Sequence, residues 1–229
     1  MGDTKENSKS LVLIQDLLSE KTLWDVYVAS RGIPFSKLNN AVGIGVGFLC
    51  GLQSLAVTHE NAVDQLATLA TLVFNTTISL LGFLLAGFTF FATVADKSLF
   101  CRMATEQHES GLNYLKYNLF TFMRVFIEFL ILCVCSLVIV LFLSNGSGLR
   151  NLMTAAEKSS LLSAIQIKVF AVVAFGIISG TFVYVLMQLK SFIFNVYHVV
   201  MTSIAWEIHK GISPNDPPTA FSEDKRIEE

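Results

Sequence analysis

Charged residues are missing from long stretches of this chain, and the gaps between them set its plan. The apolar runs cover about Leu38–Val57, Leu66–Val94, Phe122–Leu143 and Ile167–Leu189. About 20 such residues wound as a helix cross the hydrocarbon core of a bilayer. The pattern therefore predicts an all-α integral membrane four-helix bundle over residues 38–190. Amphipathic helices precede it in 1–37, a helical extension of the last span follows in 191–210, and a disordered tail occupies 211–229.

The second run has an internal order. Thr68, Thr71, Asn75, Ser79, Gly82, Ala86, Thr89 and Thr93 recur at spacings of three and four, which gathers them on one helix face. Leu69, Leu72, Val73, Leu80, Phe83, Leu84, Phe90 and Phe91 fall opposite. A small polar stripe of this kind either packs closely on another helix or borders water. Small residues admit a neighbouring backbone and hydroxyls bond across the gap, while the same hydroxyls along a pore replace part of an ion's water shell. The sequence leaves both readings open.

Glycines mark the first and fourth runs. Gly43, Gly47 and Gly51 repeat every fourth residue, and Gly176 and Gly180 form a second such pair. Both patterns allow tight helix contact, within one protomer or between protomers. Two close-contact faces exceed what one small bundle needs, so a homo-oligomer is expected. In the third run, Arg124 and Glu128 stand one turn apart and can pair. An ionisable residue at that depth is a functional candidate by default, and a structural pair at the interface is the alternative.

The segments between spans are polar. Two short amphipathic helices are predicted at Ser10–Glu20 and Thr22–Ser30, the second capped by Thr22 with Asp25 and ended by Arg31, Gly32 and Pro34. They lie on the membrane surface, pack under the bundle or dock a soluble partner. Thr58–Gln65 reads as an outer turn. Asp96–Thr121, with Lys97, Arg102, Glu106, His108, Glu109 and Lys116, reads as a solvated helical hairpin. Ser144–Gln166 reads as a turn followed by a weakly amphipathic helix. Beyond the fourth span, Ser191, Asn195, His198, Thr202 and His209 share one side of the extension.

Composition agrees with the membrane assignment. The 229 residues are 53% hydrophobic and 15% charged, well below the roughly 25% charged of soluble domains. Net charge is -2, so no basic surface of the kind that neutralises phosphates is present and no direct nucleic-acid binding is expected. Of the sixteen Lys and Arg, only Arg150, Lys158 and Lys168 fall on the outer side of a four-span topology. Basic residues accumulate on the cytoplasmic side, which places both termini in the cytoplasm. The four cysteines read as small buried residues and not as a disulfide framework.

No nucleophile, base or metal constellation, phosphate loop or broken midplane helix is visible, so no enzyme, cofactor or metal is expected. Three functions follow from the layout. The first is a homo-oligomeric sensor or scaffold that recruits a cytosolic protein. The second is a pore lined by the second span, and the third is a small proton-coupled transporter using Glu128.

The four spans with cytoplasmic ends, the short outer loops and the phrase LLGFLLAGFTFFATV from Leu80 to Val94 together resemble the small bacterial inner-membrane proteins of anti-phage defence, the Kiwa membrane subunits in particular. That resemblance implies a homotetramer in the bacterial inner membrane that senses disturbance of the envelope. It also implies a cytosolic partner that acts against phage DNA. It assigns no functional residue in this sequence.

Overall fold

The computed structural model describes residues 15–33, 36–94, 97–108, 111–144, 146–158 and 164–211. The start of the first amphipathic segment and the tail beyond Gly211 lie outside them. The described residues form helices α1 (Leu23–Ser30), α2 (Lys37–Leu55), α3 (His59–Val94), α4 (Lys97–Thr105), α5 (Tyr114–Leu143), α6 (Gly148–Lys158) and α7 (Ala164–Gly211). Four of these, α2, α3, α5 and α7, are long and apolar enough to cross a membrane. The protein is thus an all-α, multi-pass membrane bundle.

Local signals explain the ends. The Thr22 hydroxyl accepts the backbone N–H of Asp25, whose carboxylate accepts the N–H of Thr22 in return, closing the expected capping box of α1. Ser36 caps α2 and Asn113 caps α5 by the same chemistry. No proline falls between Ala164 and Gly211, so α7 continues as one helix of 48 residues through the fourth span and its extension.

Two boundaries differ from expectation. The outer turn predicted at Thr58–Gln65 is instead the first turns of α3, which starts at His59, because its polar residues are ordinary helix formers with no breaker among them. The solvated hairpin at Asp96–Thr121 shrinks to α4 and a turn closed by the Gln107–Asn113 bridge. At that turn Gly111 takes a φ of 82°, a conformation that glycine adopts without penalty. From Tyr114 the chain already belongs to α5.

The core lies between α3, α5 and α7. Leu66, Val73 and Leu84 meet Phe122, Val125, Phe129 and Leu132, with Ile178, Val185 and Phe192 closing the third side. Phe122 stacks on Phe88 at 4.7 Å and leans on Phe192 at 5.1 Å between ring centres. In contrast, α2 packs along α7 and turns Ile44, Phe48, Leu49 and Leu52 outward, where lipid is the matching solvent. At one end of the bundle α1 packs on α5, and at the other α6 folds back to α5.

Candidate functional site

Three features gather the polar chemistry of the bundle. The first is the stripe on α3. Among the described side chains of this helix, the buried ones are Ala62, Val63, Leu66, Ala70, Val73, Thr77 and Leu84. At 3.6 residues per turn their mean direction is roughly 180° from that of the stripe. Thr68, Thr71, Asn75, Ser79, Gly82, Ala86, Thr89 and Thr93 are accordingly all exposed. The oily face does not simply look outward: Val73 and Leu84 are core residues, while Leu72, Phe83 and Phe90 remain exposed beside the stripe.

Four of the five stripe hydroxyls are satisfied within the helix. Thr71 donates to the carbonyl of Ala67 at 2.9 Å, Ser79 to Asn75 at 2.9 Å, Thr89 to Leu85 at 3.0 Å and Thr93 to Phe90 at 2.9 Å. Back-bonding of this kind lets a hydroxyl face an apolar neighbour at little cost. The Asn75 side-chain amide has no partner among the described residues.

The second feature is the glycine seam. Gly43 faces Gly180 and Gly47 faces Gly176, so closely that a Cβ at Gly47 would stand 2.7 Å from the carbonyl oxygen of Gly176. Reciprocally, a Cβ at Gly180 would stand 2.7 Å from the oxygen of Gly43. Gly51 has ordinary room, its nearest neighbours lying 3.9 Å away. The two glycine faces therefore use each other inside one chain. Neither is left over for contact between copies, and the oligomer expected from them loses that support.

The third feature is a set of buried charges at the α1 end. The Arg124 side chain donates from Nε to Glu128 Oε1 at 3.2 Å and from Nη1 to the carbonyl of Ile33 at 3.1 Å. Gln188 on α7 donates to the other oxygen of Glu128. The pair thereby ties the α1–α2 connection, α5 and α7 together. Both carboxylate oxygens are occupied by donors from the chain itself, as a structural pair requires.

Around it lies a chamber of about 220 Å³, lined by Ser36, Asn39, Thr121, Arg124, Tyr184, Gln188, Ser191 and Asn195 among others. A cleft of about 580 Å³ adjoins it across Tyr117 and Asn195, and includes Arg102, Glu106, His108, His198 and Thr202. Three of the polar residues expected on one side of the extension, Asn195, His198 and Thr202, thus face this cleft, and Ser191 faces the chamber. His108 stacks on Tyr117 at 3.9 Å between ring centres, and Arg102 pairs with Glu106 at 2.7 Å. No group of metal ligands occurs among the described residues.

Sequence reasoning missed Lys116, which it placed in the solvated hairpin. Its side chain is buried and its Nζ donates to Asp16 at 3.2 Å, Ser19 at 3.0 Å and Glu20 at 3.2 Å. It also missed Asn39 and Gln188, polar residues at the edges of apolar runs. At the opposite end, Arg150 on α6 reaches Asp64 on α3 at 2.7 Å.

Compared with protein-family models, curated proteins and solved structures, the chain matches none.

Proposed function

We propose that this protein is a homo-oligomeric membrane subunit whose α3 stripes meet across the subunit contacts, and which serves as a sensor or scaffold for a cytosolic protein. The observation that carries the reading is the placement of the stripe directly opposite the core. Eight small or polar positions facing lipid gain nothing there, whereas the same positions facing their counterparts allow close backbone approach. The α1 end would be the cytoplasmic one, since it holds most of the basic residues. It also carries the polar cleft and the end of α7, surfaces on which a soluble partner can bind. A role in bacterial anti-phage defence follows from the resemblance to Kiwa membrane subunits and stands or falls with identification of the partner.

The test is disulfide crosslinking in native membranes, with Cys50, Cys101, Cys133 and Cys135 replaced and single cysteines introduced as Ser79→Cys or Val138→Cys. Crosslinked oligomers are expected from Ser79→Cys and not from the lipid-facing Val138→Cys on α5. A monomeric mass in mild detergent with no crosslinking at either position would refute assembly. Co-purification of a stoichiometric soluble protein supports the scaffold.

A second reading lets the stripes line an axial pore. The unpartnered amide of Asn75 favours it, because water or a passing ion would supply the missing partner. Single-channel conductance altered by Asn75→Leu would select this reading.

A further inference from the structure

The glycine seam produces a groove as well as a contact. Because four facing positions carry no side chain, the surface along the α2–α7 crossing is recessed. The resulting apolar groove of about 600 Å³ includes Ile44, Phe48, Leu52, Ile177, Thr181 and Tyr184. From Gly43 to Leu55 it runs roughly 18 Å along α2, somewhat more than the roughly 15 Å hydrocarbon depth of one leaflet.

The groove ends at Tyr184, and Tyr184 also lines the polar chamber. On the chamber side stands Asn39, which is only 5% exposed. Among the described residues its side-chain amide has no hydrogen-bond partner, whereas Arg124, Glu128 and Gln188 are all partnered. The amide lines the chamber, so a polar group that entered it would find an unused donor and acceptor there.

We propose that the groove and the chamber together bind one glycerophospholipid with a small head. Its acyl chain lies along the glycine seam and its phosphate head takes hydrogen bonds from Asn39 and the hydroxyl and amide groups around it. A groove facing lipid always contains hydrocarbon. What distinguishes this one is the polar chamber at its end, which holds the head of a particular molecule. The chamber of about 220 Å³ corresponds to about seven waters at roughly 30 Å³ each, which is room for a compact head. The charge of Arg124 is balanced by Glu128, so the fit is to a zwitterionic or singly charged head.

Native mass spectrometry of the whole chain released from detergent tests this. One phospholipid per chain is expected to survive the activation that strips detergent. The adduct should be lost in Thr181→Trp, which fills the groove, and in Asn39→Leu, which removes the head contact. Ile44→Trp provides a second groove-filling variant should the first unfold, with thermal melting as the check. Absence of any adduct would overturn the proposal, as would equal retention in all three variants, which describes ordinary surrounding lipid. So would a dimer mass that depends on Thr181, which would make a second copy the occupant. If inorganic phosphate alone raises the melting temperature of delipidated protein and Asn39→Leu abolishes the rise, the site belongs to a soluble anion and the lipid assignment fails.

Discussion

Gly47 and Gly176 face each other so closely that a single methyl group on Gly47 would lie 2.7 Å from the carbonyl oxygen of Gly176. That is well inside van der Waals contact, and both sides are backbone, so neither can turn away. Gly47→Ala is expected to destabilise the protomer by about 1–3 kcal/mol, and Gly47→Leu to detach α2 from α7. Gly45→Ala, whose added carbon meets nothing within 4 Å, should leave thermal melting in detergent unchanged. Equal melting of the two alanine variants would show that the seam is looser than described.

Gly82 separates folding from assembly. It lies on the exposed stripe and an added Cβ there meets nothing within 4 Å. Gly82→Leu should therefore melt like the parent protein while lowering the oligomer mass in mild detergent. Loss of the fold itself would contradict the exposed position of the stripe.

Lys116 holds Asp16, Ser19 and Glu20 against the start of α5. Lys116→Met keeps the apolar stem and removes the three bonds. The segment 15–20 should then be cleaved faster by added protease, and its amides should exchange faster, while α3 and α7 remain protected. Unchanged cleavage would mean that other contacts hold the segment.

Glu128 separates charge from hydrogen bonding. Glu128→Leu leaves the buried Arg124 guanidinium without its carboxylate, which should cost about 3–5 kcal/mol. Glu128→Gln retains an acceptor for Arg124 and should melt closer to the parent. If Glu128→Gln folds and assembles normally yet abolishes the biological activity, the carboxylate has a role beyond holding α5 to α7.

The capping box of α1 has a pH signature. Hydrogen bonds from the Thr22 hydroxyl and backbone N–H, with a lesser one from Lys21, hold the Asp25 carboxyl below the ordinary value. A depressed folded pKa contributes stability above the unfolded value, about 3.9 for Asp, and that contribution disappears as pH falls through the folded value. Amide signals of the first turn of α1 should therefore broaden only below about pH 4 by nuclear magnetic resonance in micelles. Asp25→Ala should show the same loosening at neutral pH.

The spans were legible because length and absence of charge determine them almost alone, and the α1 cap because its two residues act on each other locally. Asn195, His198 and Thr202 were also legible as one side of a helix, since spacing places side chains before any neighbour is known. What escaped were facts about neighbours. Nothing in the spacing of Gly43, Gly47, Gly176 and Gly180 states that the two pairs meet each other in one chain. Nothing near Lys116 announces Asp16 and Glu20, about a hundred residues earlier. The polar stripe was visible at once, but only the position of the core shows that it is turned away from its own protomer.

At 48 residues, α7 measures about 72 Å, more than twice the roughly 30 Å of the hydrocarbon core. Its seam with α2 is at Gly176 and Gly180, and some 45 Å of continuous helix follow Gly180. An unbroken helix does not dissipate a tilt between its ends. Beyond those glycines Val185 and Phe192 are packed in the core and Gln188 is bonded to Glu128, so α7 is clamped to the bundle well past the seam. Any tilt of α7 is therefore shared by the whole bundle, because one rigid rod carries both the seam and the core contacts with α3 and α5.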